Sequence, residues 1–211
     1  AKIYAQYPEI WPETVRALLV HSADWTNEMK EQFMGGEGKT DFASLTRVCG
    51  YGVPDLSRAL SCARSSLTLV AEAELQPFGK ADGESRKVTN EMHLYELPWP
   101  KDDLLAIGEA DVRMRITLSY FIEPSPGEIG WKDRYRYASH GLRFELNRPG
   151  EERKIFEKRI NRRALAEEEK KPKGSAAEFW TIGSTGRDAG SIHSDIWQGG
   201  AADLADSNLV A

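Results

Sequence analysis

The chain has 211 residues, of which 40% are hydrophobic and 9% aromatic, so it supplies enough apolar surface for one large domain or two small ones. Its formal net charge of -5 argues against nucleic acid as the main partner, because phosphate binding depends on clustered Lys and Arg. No apolar run approaches the ~20 residues of a membrane-spanning helix, and no secretory signal pattern is visible.

The first seven residues predict a helix that begins without a start signal. Ala1, Ile3, Tyr4 and Tyr7 have the spacing of one apolar helix side, yet no capping residue precedes them. We therefore expect a further part of the protein upstream, against which this side packs.

Two amphipathic helices are predicted next, separated by a loop. In "PETVRALLVHSA", Pro12 suits the first helical position and the apolar residues follow helical spacing. The polar, glycine-rich residues 24–45 are expected to form a loop. In "GYGVPDLSRAL", Gly50 and Gly52 suggest positive φ angles or a close backbone approach, and Pro54 and Asp55 begin the second helix.

After Ser66 the apolar spacing changes from the helical period to a period of two. Alternation predicts strands in "LTLVAEAEL", "MHLYEL" and, most clearly, "DVRMRITLSYFIEP", where Val112 to Ile122 alternate with polar residues on a wetter face. Residues 77–91 are expected to form a turn-rich loop. "GLRFELNRP" repeats the alternation, with Leu142, Phe144 and Leu146 inward.

The remaining third of the chain mixes charge with short apolar stretches. Residues 151–175 predict a helical start followed by a mobile, charged insertion. "EFWTIG", "SIHSDIW" and "NLVA" have strand-like composition. We therefore expect an α+β protein: a helical segment over residues 1–65, and over residues 66–211 an antiparallel β-sandwich of jelly-roll type.

The two helices and the glycine turn resemble the C-terminal end of a subtilisin-like serine peptidase, or subtilase, catalytic domain. That family has a "P-x-x-(I/V)-(K/R)-x-x-L-x-x-(S/T)-A" helix followed by a "G-x-G-x-(V/P)-(N/D)" turn and a closing helix. The matching residues here are Pro12, Val15, Arg16, Leu19, Ser22 and Ala23, then Gly50, Gly52, Val53, Pro54, Asp55, Ala59 and Leu60.

The β part extends the resemblance. "VRMRITLSYFIEP" is similar to a strand of the β-sandwich that follows many subtilase catalytic domains. The stretches "LPWP", "SHGLRF" and "GSIHSDIW" are similar to those of bacterial intracellular subtilases encoded beside an AAA-type ATPase. The resemblance implies a cytoplasmic enzyme with protein or peptide substrates, an AAA-type ATPase as a candidate partner, and neither nucleic acid nor membrane.

The resemblance assigns no catalytic residue to this chain. In the family the order is Asp, His, Ser, and all three precede the region matched here. No Gly-Thr-Ser nucleophile motif occurs in the sequence. From the sequence we therefore assign no catalytic, cofactor-binding or metal-binding residue to this chain, and no cofactor.

The four histidines of the chain are candidates for a catalytic or metal site of their own. His193, Ser194 and Asp195 suggest a triad, but neighbouring residues of a strand point to alternate faces and do not converge. His193 and Asp195 with His140 are a candidate metal site, for which structural hydrogen bonding is the favoured alternative. His21 and His93 are interpreted as helix and sheet residues without chemistry.

Cysteine, arginine and tryptophan residues have structural interpretations. Cys49 and Cys62 are expected to be small buried thiols of a reducing compartment, with a disulfide as the alternative. Five arginines are expected on a solvated sheet face, with an acidic partner as the alternative: Arg113, Arg115, Arg134, Arg136 and Arg143. Four tryptophans are expected to pack in the core or on the sheet: Trp99, Trp131, Trp180 and Trp197.

Two functions follow from the sequence. The first is the C-terminal fragment of a subtilisin-like endopeptidase, inactive alone, that braces the catalytic domain and docks substrates or partners. The alternative is a free-standing β-sandwich module that binds protein or carbohydrate.

Overall fold

The computed structural model of the chain describes residues 1–64, 67–80, 87–122, 141–168 and 179–211. These ranges contain helices and short antiparallel sheets, which confirms the α+β class. The helices are α1 (Lys2–Gln6), α2 (Pro12–Ser22), α3 (Asn27–Phe33), α4 (Lys39–Cys49), α5 (Leu56–Cys62), α6 (Lys101–Ile107), α7 (Arg153–Glu168), α8 (Ser184–Arg187) and α9 (Ala201–Ala205). The strands are β1 (Phe78–Lys80), β2 (Lys87–Thr89), β3 (Tyr95–Glu96), β4 (Asp111–Ser119), β5 (Ile192–Gly200) and β6 (Leu209–Val210).

The strands of the described ranges pair two by two: β1 with β2, β3 with β6, and β4 with β5. Tyr95 lies opposite Val210 in the second pair. In the third pair, the Tyr120 N–H donates to Ser191 at one end and the Ala201 N–H donates to Ala110 beyond the other, as expected for antiparallel strands.

The residues group into two compact units. The first comprises Ala1–Glu72, Arg115–Arg143 and Thr181–Ile196, and the second comprises Ala73–Met114, Phe144–Trp180 and Trp197–Ala211. Each unit is built from three separate stretches of chain. The single division after residue 65 that the sequence suggests remains a prediction.

Two apolar clusters form the core of the first unit. In one, Ile3 and Tyr7 of α1 pack with Leu18 of α2 and Ala59 of α5. Of the four residues expected on the apolar side of α1, two are buried and two are exposed. Ile3 and Tyr7 are buried within the chain's own core, whereas Ala1 and Tyr4 are exposed. In the other cluster, fully buried Leu45 packs with Trp25 and Ile182.

The loop expected over residues 24–45 is wrong, because α3 and most of α4 lie there. The Thr26 side chain caps α3 by accepting the Met29 N–H at 3.3 Å. The Asp41 carboxylate accepts the Gly38 N–H at 3.1 Å and so caps α4. The glycines before Lys39 therefore lie in a short connection between two helices.

The N-terminal end of α2 receives its hydrogen-bond acceptor from a residue that is distant in sequence. Its N-cap residue, Trp11, provides no side-chain cap. Instead, the Glu72 carboxylate accepts the Trp11 N–H at 2.9 Å and also the Thr14 hydroxyl. A carboxylate at this end also matches the positive pole of the helix dipole.

The turn after α4 passes directly over the exit of α2. Asp24 and Val53 exchange two backbone hydrogen bonds of 3.0 and 2.9 Å. Gly52 has a φ of +92°, and a Cβ atom there would lie 2.2 Å from the Asp24 carbonyl oxygen. The approach predicted at this turn is confirmed, and a glycine is required at position 52.

In the second unit, Phe156 of α7 is fully buried and Arg159 lies over its ring at 5.1 Å. The Arg159 guanidinium contacts Glu151 at 2.8 Å and Glu145 at 3.6 Å. Arg163 pairs with Glu145 as well. The charged insertion is therefore an anchored helix as far as Glu168, and residues 169–175 lie outside the described ranges.

Other predicted strands are shorter than expected or absent. Residues 67–75 form no strand, and Leu67 is 82% exposed, because no partner strand covers this stretch in the described ranges. "MHLYEL" contributes only the two residues of β3, and "EFWTIG" contributes only the bridge between Trp180 and Trp197. The turn-rich loop over residues 77–91 contains the short β1–β2 pair.

The alternation predicted over residues 142–146 is wrong in one respect. Phe144 and Leu146 are buried as expected, but Glu145 and Asn147, on the side expected to be wet, are buried as well. Glu145 meets the arginines of α7, and the Asn147 side chain accepts the Leu209 N–H at 2.8 Å.

None of the helices in the described ranges combines the length and the apolar character needed to cross a lipid bilayer.

We expect Gly52→Ala to destabilise the first unit more than Gly50→Ala. Gly50 also has a positive φ, of +60°, but a Cβ there would meet no atom within 4 Å. Both substitutions incur backbone strain, and only the one at Gly52 adds overlap with the Asp24 backbone, worth a further ~1–3 kcal/mol. Urea denaturation of the two variants measures this difference, and equal midpoints would contradict the packing described here.

Candidate functional site

Three consecutive residues of β5 have side chains of the kinds that catalyse reactions or bind metals. His193, Ser194 and Asp195 are all buried, with exposed fractions of 2%, 3% and 1%. Such burial of three consecutive polar side chains requires a specific partner for each.

His193 packs against the edge of an aromatic ring. Its Nε2 atom lies 3.2 Å from the Gly190 carbonyl oxygen, and its ring meets that of Tyr120 at 5.7 Å and 87°. Its Nδ1 atom has no hydrogen-bond partner among the described residues. Burial lowers the pKa of His193, so the imidazole is neutral near pH 7.

Asp195 anchors the turn that leads into α8. Its carboxylate accepts three backbone N–H groups, from Ile182 at 2.9 Å, Gly183 at 2.8 Å and Ile196 at 2.8 Å. The Arg187 guanidinium lies 3.7 Å away. Burial raises the pKa of Asp195, against the opposing effect of these hydrogen bonds and of Arg187.

Ser194 joins three elements through hydroxyl groups. Its Oγ atom lies 2.9 Å from Thr117 Oγ1 of β4, which in turn lies 3.1 Å from His21 Nδ1 of α2. The Ser194 N–H donates to the Tyr51 hydroxyl at 3.3 Å, and that hydroxyl donates to the Ile192 carbonyl at 3.1 Å.

The side chains of these three residues are held by separate sets of contacts. His193, Ser194 and Asp195 each bond to different partners, and no hydrogen bond joins His193 to Ser194 among the described residues. The hydroxyl chain from Ser194 through Thr117 to His21 is buried at its serine end. The arrangement fastens α2, β4 and β5 together.

Arg115 of β4 corrects the solvated-face interpretation. Its side chain is only 14% exposed. The guanidinium donates to the carbonyls at the end of α2, to His21 at 2.9 Å and also to Ala23, and lies 3.7 Å from Asp24. The side of β4 expected to be wet is therefore covered by α2 at Arg115, which caps that helix. Arg113 is exposed as expected.

The remaining sequence candidates take structural positions. His93 contacts Tyr95, with Nδ1 3.3 Å from the tyrosine oxygen. Trp180 and Trp197 are buried, which confirms their core interpretation, and the Trp99 indole donates to the Ser207 carbonyl at 3.0 Å. His140, Trp131, Arg134 and Arg136 lie outside the described ranges, and Arg143 is partly buried. Cys49 and Cys62 are free thiols, and each is only partly buried.

Within the described ranges, no three His, Cys, Asp or Glu side chains are grouped closely enough to hold a metal ion. The candidate metal site of His193, Asp195 and His140 lies partly outside these ranges, because His140 is not among the described residues. Both carboxylate oxygens of Asp195 accept backbone N–H groups. A role for His140 as a third ligand stays a prediction.

We expect Arg115→Ala to lower the free energy of unfolding by about 2–4 kcal/mol, because it removes the guanidinium that donates to the last carbonyls of α2 and one of the two that pair with Asp24. Arg113→Ala, two residues away on the same side of β4 but at an exposed position, is the matched control and should stay within about 0.5 kcal/mol of the wild type. Chemical denaturation measures both. An equal effect of the two substitutions would contradict the capping role of Arg115.

The comparisons with known proteins give one relative. The chain is 30% identical over 158 residues, or 74% of its length, to the uncharacterized protein y4bN of Sinorhizobium fredii. The chain spans about a third of that relative, since the match covers 31% of it. No family model matches the chain, and no solved structure matches it.

Proposed function

We propose that this chain is the C-terminal part of a subtilisin-like serine endopeptidase. In this proposal residues 1–65 complete and brace the catalytic domain. Residues 66–211 form an accessory module of β-sandwich type that stabilises the enzyme and docks substrates or partners. The nucleophilic Ser, the base His and the orienting Asp lie in the preceding part of the protein.

The observation that carries the proposal is the packing of the two segments that resemble the family. The end of the Pro12–Ala23 segment and the Gly50–Asp55 turn are joined by the backbone hydrogen bonds between Asp24 and Val53. The second glycine is the one that this approach requires. The two matched segments thus form one structural unit, which supports treating them as one motif.

Residues at other matched positions also have definite contacts. Pro12 occupies the start of α2, and Asp55 caps α5 by accepting the Arg58 N–H at 2.8 Å. The Ser22 hydroxyl donates to the Leu19 carbonyl and accepts the Asp55 N–H at 3.3 Å, so it links the two helices. Arg16 donates to the Ser191 hydroxyl at 3.0 Å. Their identities are therefore explained by the local packing.

The first unit also presents apolar side chains that its own core does not cover. Tyr4, Trp11 and Leu19 are 41%, 40% and 40% exposed. Buried neighbours and exposed aromatics on adjoining helices are the pattern expected where a further layer of protein packs. In the proposal this layer is the catalytic domain.

The length of the relative fits the same view. Since the match covers 31% of y4bN, more than two thirds of that protein consists of other parts. A catalytic domain upstream of the matched region is the part that the proposal requires.

The chemistry proposed for the complete enzyme is acyl transfer to serine. The His base removes the proton of the Ser hydroxyl as it attacks the peptide carbonyl, the Asp orients the His, and backbone or side-chain donors stabilise the oxyanion. The enzyme is proposed to act in the bacterial cytoplasm on protein or peptide substrates, with an AAA-type ATPase as a candidate partner.

A fluorophosphonate probe tests the proposal on the full-length protein. We expect covalent labelling of a serine in a Gly-Thr-Ser motif encoded upstream of Ala1, and loss of labelling when that serine is changed to alanine. The 211-residue chain alone, which contains no such motif, should remain unlabelled.

The preceding codons give an independent reading. A full-length protein that lacks the motif, or that carries it and is not labelled in a folded state, would overturn the peptidase assignment. A start codon or an unrelated linker directly before Ala1 would favour the free-standing binding module.

A further inference from the structure

The last turn of α2 is fastened to β4 by two contacts that involve one histidine. His21 Nδ1 lies 3.1 Å from Thr117 Oγ1, and the His21 carbonyl oxygen accepts a hydrogen bond of 2.9 Å from Arg115. Both partners belong to β4. We call His21, Thr117 and Arg115 the α2 latch.

The charges around this latch are predominantly positive. Arg115 of β4 and Arg58 of α5 both face the end of α2, and each pairs with the Asp24 carboxylate, at 3.7 and 3.5 Å. Asp24 therefore contacts both guanidinium groups. The hydroxyls of Thr117 and, behind it, Ser194 add no charge.

The hydrogen bond to Thr117 does not by itself determine the charge of His21, because a hydroxyl can donate to a neutral ring or accept from a protonated one. Burial and the two cations instead favour the neutral form of the His21 ring. Burial first, then Arg115 and Arg58, lower the pKa of His21 to about 4. The imidazole is consequently neutral while the latch is closed.

We propose that the α2 latch is an acid-operated release: protonation of His21 frees the last turn of α2 from β4 while the second unit stays folded. A third cation at His21 would be repelled by Arg115 and Arg58, whose contacts with Asp24 place both guanidinium groups at the same end of α2 as that carboxylate. The open form exposes the ring to water, where the charge is solvated. This inference does not depend on the peptidase assignment.

The direction of the effect follows from the two protonation states. In the open form the pKa of His21 has its ordinary value of 6.5. As the pH falls, the open form therefore binds a proton at a higher pH than the closed form does. The latch is unaffected above pH 6.5 and weakens as the pH falls towards 4. Between pH 7.5 and pH 5 the opening equilibrium rises about 30-fold.

Hydrogen exchange followed by mass spectrometry tests the proposal on the 211-residue chain. After correction for the intrinsic rates, we expect peptides that cover residues 14–24 and 113–119 to exchange about 30-fold faster at pH 5 than at pH 7.5. Peptides of α7 should change little. His21→Gln, which stays neutral at both pH values, should abolish most of this acceleration.

His93→Gln is the matched control, because His93 contacts Tyr95 in the second unit, and it should behave as the wild type. Acid also affects the buried His193, so the test depends on the difference between the wild type and His21→Gln in α2 and β4. Equal acceleration in these two proteins would overturn the proposal.

Nuclear magnetic resonance of the wild-type imidazole gives a reading that needs no variant. We expect the His21 ring to remain neutral in the closed state down to about pH 5. Titration of the folded-state ring above pH 6 would overturn the proposal, whatever the folding of the His21→Gln variant.

Discussion

The Arg115 guanidinium at the end of α2 is the interaction on which the first unit depends. A strand residue here supplies the positive charge that the negative pole of a helix favours, and it donates to the carbonyls of Val20, His21 and Ala23. The same side chain adds to the effect of burial in lowering the pKa of His21, and it pairs with Asp24. One arginine thus links the register of β4, the end of α2 and the turn that carries Gly52.

The buried polar residues of β5 serve the same purpose on the other strand. Asp195 fixes the turn before α8, Ser194 reaches β4 and α2 through Thr117, and Tyr51 completes the hydrogen bonds of the strand from the α4–α5 turn. Polar groups buried in this way are costly unless every partner is present. They therefore specify one arrangement of helices and strands, as a bracing role would require.

The sequence predicts helices and strands of this fold where the spacing of apolar residues is regular over several residues. The helical spacing in α2 and α5 and the alternation in β4 each extend over several residues, and all three elements were confirmed. Helices α3 and α4 were missed because their cap residues, Thr26 and Asp41, stand among polar and glycine residues that also suit a loop. Alternation predicts that Arg115 and Glu145 share a face with polar residues, but not which element covers that face. Their partners come from α2 and α7, so only the tertiary fold identifies them.

The remote caps of α2 have a consequence for the order in which the chain is made. The carbonyl of His21 receives its donor from a residue 94 positions later. At a translation rate of about 5–20 residues per second, the ribosome must work for roughly 5 to 19 seconds more before that donor has even been synthesised. During this interval water is the donor available to the His21 and Ala23 carbonyls, and the contact from Arg115 forms only after later synthesis.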